Sequence, residues 1–174
     1  DVDDLDKIGS LFIENAGLIL LWPFLSRLFD KLNLFEDKNF VDETAQQKAI
    51  LLTEYLVTGN TDFQESSLAL NKLICGAPLE TYVDVKLSIE PFELKLCDSL
   101  LKSVIDNWEK INNSSISALR ETFLIREGVL VRSNVDFKLN VEKKPFDVLL
   151  TNLPWTISMI QTSFMKNRII VTWI

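Results

Sequence analysis

Hydrolytic or transfer chemistry needs a nucleophile beside a base, and this chain of 174 residues contains no histidine. Serines occur in pairs at Ser66–Ser67 and Ser114–Ser115, but their base would have to be a lysine or a carboxylate, and no GxSxG elbow is present. Carboxylates stand close together at Glu90 with Glu93 and at Glu121 with Glu127. Each pair falls on the expected exposed face or end of a helix, where acidic side chains serve the helix dipole. Neither GxxxxGK[ST] nor GxGxxG occurs, and five scattered glycines cannot build a phosphate cradle.

Metal chemistry is equally short of ligands. The missing histidines exclude a histidine-containing zinc site, and Cys75 and Cys97 form no CxxC pair. The two read as buried, reduced thiols, with a disulfide unsupported by anything in the pattern. The opening "DVDDLD" is acidic enough for calcium but lacks the loop glycine and closing glutamate of an EF-hand, so it reads as a solvated linker over residues 1–7. The chain begins at Asp1 instead of Met, as a piece of a longer protein would. No catalytic, cofactor or metal residues are expected, and the chain is read as a non-enzyme.

Charge narrows the partners further. A net charge of -7 argues against nucleic acid, whose phosphates need a basic face. The charge is uneven, with a net -10 up to Ile125 and +3 from Arg126 onward. Arg126, Arg132, Lys138, Lys143 and Lys144 could form a basic patch, or more simply the solvated face of a hairpin.

Aromatic residues carry the strongest remaining signal. Three of the four tryptophans adjoin breaks: Trp22 precedes Pro23, Trp155 follows Pro154, and Trp173 stands one residue from the end. Such residues either pack the core or anchor a partner.

These side chains must be positioned by a fold of one globular domain over residues 8–174, a length that lets folding remove roughly 70% of the unfolded surface from water. The stretch from Ile8 to Leu25 comes close to the length of a membrane span, about 20 apolar residues. Glu14, Asn15 and Pro23 interrupt it and Arg27 follows it, so membrane insertion is not expected. Leu18, Leu21, Leu25, Leu28, Phe29 and Leu32 recur at helical spacing, and Pro23 either kinks that helix or starts a new one. Asp42 predicts an N-cap for a helix that stops at Gly59. Thr61 and Gln64 have capping-box spacing ahead of a short helix ended by Gly76. "TYVDVKLSI" reads as a strand or an extended connector. Pro91 opens the longest apolar stripe, through Leu94, Cys97, Leu101, Val104 and Trp108, and "NNSS" caps the next helix.

Beyond Gly128 the period changes. "VLVRS" and "VDFKLNVEK" alternate around Ser133–Asn134 as a hairpin, "PFDVLLTNL" returns to a short helix, and "RIIVTWI" ends the chain as a strand. The expectation is therefore an α+β fold, mainly α: a helical bundle body to about residue 127 and a small C-terminal antiparallel β element from residue 128.

Several segments together resemble the C-terminal domain of the tape measure proteins of contractile injection systems, the phage-tail-like particles. They are "ENAGLILLWPFLSRLF", "QKAILLTEYLVTGN", "LALNKLICGAPLE", "LLKSVIDNWEKINNSSISALRETFLIREGVL", "FDVLLTNLPWTISMI" and "VTWI", in the family's order and across nearly the whole chain. Where that family commonly has His-Pro, this chain has Trp22-Pro23, and Ser26 replaces a frequent second proline. The resemblance implies a bacterial structural protein whose extended part sets the length of the tail tube, while the end domain docks to the hub or spike of the baseplate or to tube proteins. It implies assembly in the bacterial cytoplasm and then a place inside the particle, with a symmetric homo-oligomer matching the particle's symmetry. The contacts it points to are Trp22, Phe24, Pro154, Trp155 and Trp173. The alternative is a generic adaptor or small-molecule-binding α-rich domain outside any injection system.

Overall fold

The structure, a computed structural model, describes residues 9–173. The expected acidic linker over residues 1–7 lies outside that range.

The long apolar run does not form one helix. Its first part, Ser10–Ile13, is a strand, β1. Ala16–Leu21 then winds as a fully buried 3-10 turn, and Trp22–Lys31 forms helix α1 with the proline in its first turn. Of the two roles open to Pro23, it takes the second. It begins a helix, where the missing N–H is no loss. Leu25, Leu28 and Phe29 are the buried face of α1.

A two-residue hairpin follows, β2 (Phe35–Glu36) with β3 (Asn39–Phe40). Its two phenylalanines close over Phe29 together with Phe164, with ring centroids 4.9 to 5.9 Å apart. Helix α2 covers Glu43–Thr58, and its ends are those the sequence predicts. The Asp42 carboxylate accepts from the Ala45 N–H at 2.8 Å, and Gly59 closes the helix in the left-handed region at φ 74°.

Helix α3 (Ala69–Ile74) has no side-chain cap, so the Thr61–Gln64 capping box does not form. A 3-10 turn at Glu65–Ser67 leads into α3 instead, and Glu65 pairs with Lys72 and accepts from the Val83 N–H. Residues 81–90 are the extended connector and not a strand. Helix α4 (Pro91–Asn107) begins where expected, with the Glu90 N–H donating to Glu93 Oε1 at 2.8 Å. Glu93 is not on the exposed face. It is buried, and Lys48 Nζ lies 3.1 Å from its carboxylate. Ser115 caps α5 (Ile116–Leu119), which runs on as a π turn through Arg120–Leu124.

The last third forms β4 (Gly128–Ser133) and β5 (Asp136–Val141) as the expected hairpin, with Asn134 at φ 51° in the turn. The expected short helix is a 3-10 segment, Pro145–Asn152. Strands β6 (Met159–Ile160) and β7 (Ile169–Thr172) complete the sheet.

That sheet corrects the expected architecture. The chain is α+β, but a helical bundle carrying a small C-terminal antiparallel element does not describe it. The sheet has five strands in the order β1-β4-β5-β7-β6, and β1 comes from the N-terminal stretch that was expected to be helical. It is mixed: β5 and β7 pair in parallel, Phe137 opposite Ile169. The helical half contains several 3-10 segments and a π turn beside its two long helices.

Sheet and helices share one core, and the seam between them is tight. The Ala16 N–H donates to Arg126 O at 2.9 Å, so the 3-10 turn lies directly on the chain leaving the π turn. Gly17 permits this approach, because a Cβ there would collide with the Phe123 carbonyl and the Leu124 backbone.

Candidate functional site

Four of the five residues singled out from the sequence, Trp22, Phe24, Pro154 and Trp155, meet where the start of α1 faces the segment that follows the Pro145–Asn152 turn. Trp22 and Phe24 stand in the first turn of α1, half-buried. Trp155 packs against Phe24, their ring centroids 5.1 Å apart in an edge-to-face arrangement. Pro154 beside it is exposed.

Two indoles fix this junction. Trp22 Nε1 donates to Thr156 O at 2.8 Å, and Trp155 Nε1 donates to Leu20 O at 3.0 Å. The local sequence explains the second bond. A 3-10 turn continued beyond Leu21 would offer the Leu20 carbonyl to residue 23, and Pro23 has no N–H to give. The Trp155 indole, 135 residues along the chain, donates there.

Trp173 lies elsewhere in character. It is 1% exposed, and its Nε1 donates to Asp147 Oδ2 at 3.0 Å. It reaches the surface only as the inner wall of a shallow groove of about 270 Å³ whose other sides include Leu153, Trp155, Ile157 and Val171. The groove therefore joins Trp155 and Trp173, while Trp22 and Phe24 are not in its lining.

Behind Trp173 is a buried ion pair that local sequence patterns do not reveal. Arg126, 1% exposed, grips Asp147 with two parallel bonds, Nη1 to Oδ2 at 2.8 Å and Nη2 to Oδ1 at 2.9 Å. The guanidinium also donates to the Glu142 and Thr122 carbonyls, and it lies over the Trp173 ring at 5.1 Å. Burial pushes the Asp147 carboxyl up, but bonds from Arg126, the Lys144 backbone and Trp173 outweigh it and hold the carboxyl below its ordinary range. Arg126 is thus a core residue and no member of a basic surface patch. The contact joins residues 21 apart across strand and turn, a spacing with no periodic signature.

Among the described residues no cluster of histidine, cysteine, aspartate or glutamate could hold a metal, and no helix is long and apolar enough to cross a membrane. Cys75 and Cys97 are free and buried, and burial pushes both thiols up, Cys97 to about 12.

An aromatic junction of this kind suits a contact surface, and comparison with known families gives its setting. The model of the contractile injection system tape measure protein family matches residues 2–173. The chain belongs to that family. No curated protein and no solved structure matches it.

Membership in the tape measure family makes the role structural, within a phage-tail-like injection particle. It also counts against an adaptor or small-molecule binder outside any injection system. The Trp-Pro step is then part of a structural domain's framework, tied by hydrogen bonds to the segment around Trp155. Sequence reasoning singled out that segment by its aromatic residues and missed both Arg126–Asp147 and a buried polar floor, in which Asn15 Nδ2 donates to Glu54 Oε1 at 2.9 Å and to Asn71 Oδ1 at 2.7 Å. The one visible signal for that floor was a pair of polar residues, Glu14 and Asn15, inside an apolar run.

Proposed function

We propose that this chain is the C-terminal end domain of a tape measure protein, docking to the hub or spike end of the baseplate while the rest of the protein sets tube length. The aromatic junction is its docking surface: exposed Pro154, half-buried Trp22, Phe24 and Trp155, and Trp173 lining the groove beside them. The observation that carries the reading is the convergence of these residues, from opposite ends of the chain, on one ridge and groove. Aromatic anchors beside a groove are the usual centre of a protein interface.

The mechanism is physical. A ruler needs one end held while tube subunits add around its extended part, and a folded domain supplies a preorganised surface at little entropic cost. Tube and spike have cyclic symmetry, so a symmetric homo-oligomer of the domain meets them most simply. Assembly takes place in the bacterial cytoplasm, and the domain stays within the finished particle.

The test is co-purification of the chain with each hub, spike and tube protein of its own particle. One component is expected to be retained, and Trp155→Ala weakens retention. Pro154→Glu is the cleaner variant, because it places a charge on the ridge without removing an internal hydrogen bond. It is expected to lower affinity by about tenfold or more while leaving the melting temperature unchanged. Retention of no particle component by the unaltered chain overturns the proposal.

A further inference from the structure

The five-stranded sheet has two faces, and the core covers one of them. Leu11, Leu130, Leu139 and Val171 stand in register across β1, β4, β5 and β7, all buried in the core shared with the helices. The residues that alternate with them point the other way. One cross-strand row of this outer face runs Ser10, Val131, Lys138, Ile170, Met159 across all five strands, and a second runs Phe12, Val129, Asn140, Thr172. Each of these residues is exposed or half-buried, with Phe12 at 58% and Met159 at 45%.

A sheet face turned to water ordinarily carries polar side chains. Here Phe12, Val129 and Val131 make an apolar line over β1 and β4, and Ile170 with Met159 makes another over β7 and β6. Between the two lines lies β5, whose outward side chains are Asp136, Lys138 and Asn140. Arg168 already holds the Asp136 carboxylate, with bonds of 2.9 and 3.1 Å. Lys138 has no ion-pair partner among the described residues.

The dimensions of the face select its occupant. Strands β4 and β7 lie two strand spacings apart, about 9.6 Å, which is close to the diameter of a helix with its side chains, about 10 Å. A helix laid along β5 therefore rests its flanks on both apolar lines and its lowest residues on Lys138 and Asn140. A second copy of the chain fits less well. The face covers roughly 400 Å², about half of what each partner of a stable dimer buries, and packing it on itself about a two-fold axis would oppose two Lys138 ammonium groups.

We propose that the outer face of the sheet docks an amphipathic helix of a partner polypeptide, whose apolar stripe carries a carboxylate that meets Lys138. The Lys138 stem lies between the two apolar lines, and its ammonium pairs with the incoming carboxylate. The pair also sets the register of docking, because a stripe apolar throughout would cover the ammonium without a partner. The face shares no residue with the aromatic junction, so it stands whether or not that junction docks a hub protein.

The probes are three blocked, alanine-based helical peptides of about 18 residues, titrated at low ionic strength into the isotope-labelled full chain. Each has leucines at helical spacing along one stripe, with glutamate, glutamine or lysine at the centre of that stripe. The readout is the backbone amides of Val131, Lys138, Ile170 and Met159 in NMR spectra. Saturable shifts are expected with the glutamate peptide, binding about three- to fivefold weaker with glutamine, and none with lysine. Lys138→Glu, at an exposed position, is expected to reverse the order, so that the lysine peptide binds this variant better than the glutamate peptide does. Absence of saturable shifts with the glutamate peptide overturns the proposal, as does an order of affinities that Lys138→Glu leaves unchanged. Shifts of the same amides on dilution without peptide would assign the face to a second copy, and nuclear Overhauser contacts to these side chains from another segment of the unliganded chain would assign it to the chain itself; either result overturns the proposal as well.

Discussion

Trp22 and Trp155 each donate an indole N–H to backbone beside the other: Trp22 to Thr156 O, and Trp155 to Leu20 O. The two bonds look equivalent but their acceptors differ in setting. Leu20 is 1% exposed, whereas Thr156 is on the surface and water can replace its lost donor. Trp155→Phe therefore leaves a buried carbonyl short of a partner and is expected to cost about 1–3 kcal/mol, while Trp22→Phe costs under about 1 kcal/mol. Chemical denaturation of the two variants, side by side, measures the difference. Equal costs would mean that the Leu20 carbonyl is satisfied without the indole.

Arg126 and Asp147 give a larger effect. Removing one partner of a buried pair leaves the other charged and desolvated, so Asp147→Ala is expected to destabilise the chain by about 3–5 kcal/mol. Replacing both together with apolar residues of similar volume costs far less than the sum of the single changes. Denaturation midpoints for the two single variants and the double variant establish the non-additivity.

Asp147 and Glu54 respond to pH in opposite directions. Asp147 is held below its ordinary value of 3.8, so its contribution is present above 3.8 and is lost as pH falls through the lower, folded-state value. Glu54 is raised above its ordinary 4.5, first by burial, so its contribution is full below 4.5 and is lost as pH rises through the folded-state value. Glu54→Gln is thus expected to raise stability at neutral pH, with its advantage over the unaltered chain shrinking on acidification toward 4.5. Thermal melts across that range read the shrinking advantage directly. A variant less stable than the original at neutral pH contradicts the sign.

How much of this was legible in the sequence depended on how local the cause was. Asp42, Gly59, Pro91 and Ser115 set helix ends through contacts within a few residues, and those ends stand where the pattern put them. The β4–β5 hairpin likewise follows from alternation around one turn. Strand β1 did not show, because the four residues Ser10–Ile13 are too few to have a readable period, and only its pairing with β4 more than a hundred residues later makes it a strand. The parallel pairing of β5 with β7 is non-local in the same way. At the aromatic junction, residue type alone was enough to nominate Trp22 and Trp155. It could not separate half-buried Trp155 from Trp173, whose place is decided by the distant Arg126–Asp147 pair. The polar floor beneath Glu54 depends on Asn15 meeting Asn71, a contact that no spacing announces.

The thiols offer a last prediction, on how the core opens. Cys75 closes the last turn of α3 and Cys97 lies in α4, both buried, and burial raises the thiol above its ordinary value in each, Cys97 to about 12. Only the thiolate attacks a disulfide reagent, so neither residue reacts from the folded state at neutral pH. Modification must await an opening of the structure, and its rate then reports that opening. Treatment of the native chain with an aromatic disulfide reagent is expected to leave both thiols intact over minutes, with two equivalents released at once in denaturant. Asp147→Ala, by lowering global stability, is expected to speed labelling at both sites by the same factor if they are exposed by one cooperative transition. Faster labelling at Cys75 alone would show that α3 opens separately from α4, and the ratio of the two rates gives the free energy between those openings.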